Sequence, residues 1–174
     1  NKNFSDANWG LVSGSSFTVR SRATDKTKPV NLIEQIINSA TFYWDVTVPT
    51  SSVSFPQHLG VAGVNPTFYG TYFDAHSGIN PSAGAVKVKL YAKTGVNAGR
   101  WYYAGSWRNT PPLNDDLPDA QVWTSSWTYA LPTSLEPGAD YIVASVARDA
   151  SYPGNYQTSF VQGISSNTFN CDNN

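Results

Sequence analysis

The sequence is poor in charge and in the residues that carry chemistry. Charged side chains make up 13% of its 174 residues, with 11 Lys and Arg against 12 Asp and Glu and a formal net charge of −1. Binding to a row of phosphates draws on clustered basic side chains, so this balance argues against nucleic acid and against an anionic membrane surface. No apolar run approaches the roughly 20 residues needed to span a bilayer, and no membrane insertion is expected. The single cysteine, Cys171, cannot close an internal disulfide, so the fold must rest on its core. Cys171 reads as a thiol without a task, with a bridge to a second chain as the alternative. Methionine is absent and the chain opens at Asn1, the pattern of a mature product or an excised piece whose export signal is gone.

Catalytic groups are equally scarce. His58 and His76 are the only histidines, and Glu34 and Glu136 the only glutamates. Asp74, His76 and Ser77 fall close together, but a nucleophile needs a base that a third group orients, and nothing in this spacing provides it. Glu136 sits in a turn sequence, which leaves a glycosidase carboxylate pair without support. The reading is that the protein is not an enzyme.

Aromatics, by contrast, reach 14%, and 13 Gly and 11 Pro punctuate stretches rich in Ser, Thr and Asn. This is the composition of short strands joined by many turns, and it predicts an all-β protein. The alternation Val86, Val88, Leu90, Ala92 against Lys87, Lys89, Tyr91, Lys93 is that of a half-buried strand with its lysines in water. Further strands are expected at 42–48, 67–73, 100–103, 122–130, 141–147 and about 157–164, and a strand is favoured over a helix at 32–37. Strands every ten or so residues suit an antiparallel β-sandwich.

The chain also repeats itself. Gly14, Phe17, Val19, Ser21, Ala23, Asp25, Pro29 and Asn31 recur without a gap as Gly138, Tyr141, Val143, Ser145, Ala147, Asp149, Pro153 and Asn155. Ser39, Thr41, Phe42 and Asp45 then recur as Ser166, Thr168, Phe169 and Asp172. A period this long is that of a whole module, not of a solenoid unit. Residues 1–40 therefore read as the closing strands of a preceding module or as donor strands, residues 41–170 as one complete sandwich, and 171–174 as a tail or linker. A lone strand pair is marginal in water. Phe17, Val19 and Ile33 are accordingly the expected inter-subunit strand residues, offered by a fragment of a longer array, to the same chain, or to a neighbouring molecule.

The run Gly138, Tyr141, Val143, Ala147, Asp149, Gly154, Asn155, with Trp123 and Trp127 upstream and Gly70 to Asp74 before the Val86 strand, resembles the immunoglobulin-like repeats of bacterial and archaeal surface proteins. That resemblance implies an immunoglobulin-like β-sandwich in an extracellular or cell-surface setting, with other copies or modules of the same protein as partners. It implies structural roles for Tyr141 as a corner tyrosine whose hydroxyl bonds back across the turn, for Asp149 as a turn cap, and for Gly154 and Asn155 in that turn. The first copy departs from the pattern with Phe17 for the tyrosine and Val30 for the glycine.

Two ligand readings remain. No cofactor is required, but the acidic loop with Asp115, Asp116 and Asp119 offers the hard oxygens that Ca2+ prefers, although its spacing matches no defined calcium motif. Trp123 and Trp127 are expected to line the core, which leaves Trp101 and Tyr103 on one strand face, and Trp107 in a turn, as a sugar-stacking platform. The primary expectation is a non-catalytic structural or adhesive module of a filament or surface array; the alternative is a carbohydrate-binding module that takes glycans.

Overall fold

A computed structural model of the chain describes residues 12–26, 33, 38–78, 84–151 and 154–172. The protein is nearly all β and divides into two compact units, Asn1–Val46 and Thr47–Asn174. Of the 32–37 segment only Ile33 lies within the described residues.

The described residues of the first unit form a hairpin. Strand β1 (Ser16–Ser21) pairs antiparallel with β2 (Asn38–Tyr43), setting Phe17 opposite Phe42 and Val19 opposite Ala40. Its open end is tied by the Gly14 amide donating to the Trp44 carbonyl and the Trp44 amide to that of Ser15, each at 2.8 Å. The Ser13 hydroxyl donates to Asp45 Oδ1 at 2.9 Å, and an antiparallel bridge joins Thr24 to Ile33. The strand expected at 42–48 therefore stops at Tyr43, and β2 straddles the boundary drawn at residue 40.

Among the described residues the second unit holds ten strands: β3 (Thr50–Phe55), β4 (Gly60–Ala62), β5 (Thr67–Phe73), β6 (Val86–Ala92), β7 (Trp101–Tyr103), β8 (Ser106–Arg108), β9 (Gln121–Val122), β10 (Ser126–Ala130), β11 (Asp140–Ala147) and β12 (Ser166–Cys171). One sheet runs β3-β5-β10-β9 and the other β4-β12-β11-β6-β7-β8. Every pairing is antiparallel except β4 with β12, which is parallel. Each strand's alternation turns one row inward. Val86, Val88, Leu90, Ala92, Tyr141, Val143 and Phe169 come from the larger sheet, and Val53, Phe68, Tyr72 and Trp127 from the smaller.

Rings link the two sheets: Phe68 meets Phe169 edge-on at 5.8 Å, Phe169 stacks on Tyr141 at 5.7 Å, and Tyr141 lies 5.9 Å from Trp107. Such pairs add about 0.5–1.5 kcal/mol each beyond their burial. Gly70 makes room for this packing. A Cβ there would sit 1.8 Å from the Ser52 carbonyl oxygen and 2.9 Å from Trp127 Nε1, and that indole donates to the same carbonyl at 3.1 Å. Buried polar groups also cross the core in bonded sets. Ser51 Oγ lies 2.6 Å from Gln157 Oε1 and 2.7 Å from Ser145 Oγ, while Asn167 Nδ2 donates to the Val53 and Pro56 carbonyls.

Four expectations are corrected. The 122–130 stretch is a tight hairpin, β9 and β10, in which the Trp123 amide donates to Ser126, so Trp123 occupies the turn at 50% exposure while Trp127 is fully buried. The last strand is β12, not 157–164, where Gln157 turns inward to the Ser51 hydroxyl. Lys87 is buried because the 114–119 loop covers its end of β6. Trp107 is not in a turn but in β8, opposite Tyr102 on the core side.

Candidate functional site

The turn that enters β11 and the loop that leaves it are built from local contacts. The Glu136 amide donates to the Tyr141 hydroxyl at 3.0 Å, and the ring is buried between Trp107 and Phe169. Burial pushes the Tyr141 phenol above its ordinary value. Beyond β11, Asp149 Oδ1 accepts from the Ser151 amide at 3.1 Å, the Ser151 hydroxyl at 2.7 Å and the Asn155 amide at 2.7 Å, while Oδ2 accepts from Asn155 Nδ2 at 2.7 Å. Gly154 takes φ +90° within the loop that Asp149 organises, a region open to glycine at little cost. Asp149, Gly154 and Asn155 are brought together in the loop after β11, while Tyr141 lies at the other end of that strand.

The acidic loop is occupied by the protein's own cation. Lys87 Nζ donates to Asp119 Oδ1 at 2.7 Å, the Leu117 carbonyl at 3.2 Å and the Asp115 carbonyl at 3.5 Å. Asp116 Oδ2 accepts the Leu113 amide at 3.3 Å, capping the short 3₁₀ turn Asn114–Asp116. Asp115 Oδ1 accepts from the Tyr156 hydroxyl, and burial, with that bond second, pushes the Tyr156 phenol up to about 12. The three carboxylates thus serve three different donors. Sequence reasoning missed Lys87 because alternation assigned it to solvent.

Asp74 closes a turn of its own, its Oδ1 accepting the His76 and Gly78 amides at 3.0 Å each. Its Oδ2 is buried without a hydrogen-bond partner, and one of its carboxylate oxygens lies within 4.8 Å of one of Asp149. Ser77 Oγ lies 3.4 Å from Asp74 Oδ1, and His76 Nδ1 lies 3.1 Å from Thr47 Oγ1, contacts that shape the turn.

Trp101 and Tyr103 share the outer face of β7, and Trp107 lies on the inner side with Tyr102. Cations and rings already dress the outer pair. Lys89 Nζ stands 5.4 Å from the Trp101 ring centre, Tyr91 packs on Trp101 at 4.6 Å, and the Arg108 guanidinium stands 5.2 Å from the Tyr103 ring. Burial lowers the Lys89 ammonium from its ordinary value. Cys171 ends β12, fully buried and unbridged. Its thiol is pushed up by burial and by Asp172, so a bridge to a second chain would require the strand to open.

The β1–β2 hairpin presents the opposite situation. Val19 is 49% exposed and Phe42 37%, and Ile33 is also exposed, whereas Val143 is 0% and Phe169 1% exposed at the repeated positions of β11 and β12. Among the described residues no helix is long and apolar enough to cross a membrane. No family model matches the sequence, and no curated protein matches it.

Proposed function

We propose that the chain is a non-catalytic structural module of an extracellular surface protein, immunoglobulin-like in topology, that assembles with other modules through strand pairing and apolar packing. Three features support the immunoglobulin-like reading. The smaller sheet has the order of an A-B-E-D sheet, and the larger that of an A′-G-F-C-C′-C″ sheet with its A′ and G strands parallel. The Tyr141 hydroxyl bonds back to the entry turn of the F-type strand β11. The assembly role is carried by one observation: the β1–β2 hairpin leaves Val19 and Phe42 of its apolar face exposed, where the matching β11–β12 hairpin buries Val143 and Phe169. Soluble proteins hide such faces against partners.

Sugar stacking on Trp101 and Tyr103 is the weaker reading, because a sugar ring would have to share those faces with Lys89, Tyr91 and Arg108. Calcium is likewise not required, since Lys87 already gathers three oxygens of the acidic loop. The test is light scattering of the full chain beside a version that begins at Thr47. The full chain is expected to gain mass above 18.9 kDa as its concentration rises, and the shorter one to stay monomeric. Two monomers at all concentrations would contradict the assembly role.

A further inference from the structure

Lys87 and Lys89 lie two residues apart on the same face of β6, and the fold treats them differently. Lys87 is matched within the protein, donating to Asp119 Oδ1 at 2.7 Å and to the Leu117 and Asp115 carbonyls. Lys89 meets only aromatic rings, with its Nζ 5.4 Å from the centre of the Trp101 ring and 5.6 Å from that of Phe160. Arg108 shares this condition, its guanidinium 5.2 Å from the Tyr103 ring. Among the described residues neither cation has a hydrogen bond or a carboxylate partner. Residues 79–83, 152, 153, 173 and 174, which complete the second unit, include no Asp or Glu. Partly buried, the Lys89 ammonium loses hydration without gaining an anion, and burial lowers it from its ordinary value. A charge left in that state carries a cost that an arriving anion removes.

The sheet sets these groups side by side. Tyr91 stands opposite Trp101, and Trp101 opposite Arg108, across the neighbouring strands β6, β7 and β8. Tyr103 lies on the same face two residues beyond Trp101, its hydroxyl 2.9 Å from Thr110 Oγ1. Lys89 from β6 and Arg108 from β8 therefore flank the two outward rings of β7 from opposite sides. A small inorganic anion has no use for the rings, and a neutral sugar is crowded by the cations. An acidic peptide pairs most readily along a sheet edge, whereas these groups lie on a sheet face. A ligand that carries its negative charge on a partly apolar ring uses both. We infer that the outer face of β6, β7 and β8 binds an acidic glycan, a chain of pyranose units bearing carboxylates. A carboxylate holds a cation more strongly than a ring face does. Binding accordingly draws Lys89 and Arg108 off Trp101 and Tyr103 and bares those rings to the C–H faces of the sugar. This goes beyond the assembly role and makes no use of β1 or β2.

The experiment is titration of the full chain with an oligomer of galacturonic acid at low salt, read by Trp fluorescence and calorimetry, beside the same oligomer with its carboxyls methyl-esterified. The acid form is expected to bind saturably, and the ester about tenfold more weakly or worse. Lys89→Met and Arg108→Gln are each expected to weaken the acid form by about tenfold or more. Lys26→Gln removes the same charge from an exposed position of the first unit and is expected to leave the affinity unchanged. Arg108 is exposed, so its variant keeps the fold and the test stands even where Lys89→Met melts early. Equal binding of acid and ester would overturn the inference, because charge would then play no part. Equal weakening by Lys26→Gln would overturn it by reducing the attraction to net charge. Polyaspartate binding as tightly as the glycan would make the partner an acidic protein, and no saturation with oligomers of galacturonic, glucuronic or mannuronic acid would leave the face without this role.

Discussion

At the scale of single residues, the structure separates side chains whose partners are near in sequence from those whose partners are far. Tyr141 bonds to an amide five residues away and Asp149 to groups up to six residues away, so both roles were legible in a short motif. Replacing Tyr141 with Phe keeps the ring and strips the Glu136 amide of its acceptor; chemical denaturation should show a loss of about 1–2 kcal/mol. Lys87 was not legible. Its place in the alternation says solvent, and only the loop some 30 residues later, folded back over β6, buries it against Asp119 and two carbonyls. Lys87→Met leaves those oxygens without their donor. We expect a cost of about 1–3 kcal/mol in the same assay, and unchanged stability would remove Lys87 from the structure's supports.

At the scale of elements, period-two alternation located β5 and β7, which bury one face and leave the other more open, and β6 and β11, whose inward rows alternate even where the other face is also covered. It failed where a strand was broken or a loop turned inward. The 122–130 stretch alternates throughout, but three residues spent on a turn put Trp123 outside and Trp127 inside. Gln157 begins an apparently strand-like run, yet its amide is drawn in by Ser51, 106 positions away, and apart from a single bridge at Gln162 the chain re-enters a sheet at Ser166. Gly70 is an element-level constraint with no signature in the alternation. Its missing Cβ allows β3 and the Trp127 indole to approach β5, and Gly70→Ala is expected to lower the denaturation midpoint by an amount worth about 3 kcal/mol. In the hairpin, Phe42→Asp should abolish concentration-dependent association in light scattering while leaving the melting of the second unit unchanged, since that unit closes its core without β2.

At the scale of the whole molecule, the second unit is a sandwich whose aliphatic core is joined by phenols, Tyr72, Tyr102 and Tyr141 within it and Tyr129 and Tyr156 half-buried. Burial, with Tyr102 nearby, pushes Tyr129 up to about 12, and Tyr156 lies at about 12 too, against an ordinary value of 10.0. A phenol raised in the folded state favours the fold while neutral. That contribution is fully present below pH 10 and is lost as pH rises from about 10 through 12. Denaturation midpoints should therefore hold steady to about pH 10 and fall steeply beyond it, in step with phenolate absorbance.

The central claim is that the chain carries one hairpin twice, with Val143 and Phe169 buried in β11–β12 and Val19 and Phe42 exposed at the matching positions of β1–β2, and amide hydrogen exchange on the intact chain at low concentration tests it most directly. The account predicts that β11 and β12 exchange only through global opening of the sandwich, while β1 and β2, in the same register with a ring pair of the same geometry, exchange on the order of 1,000-fold faster or more. Equal protection of the two hairpins under those conditions would contradict it.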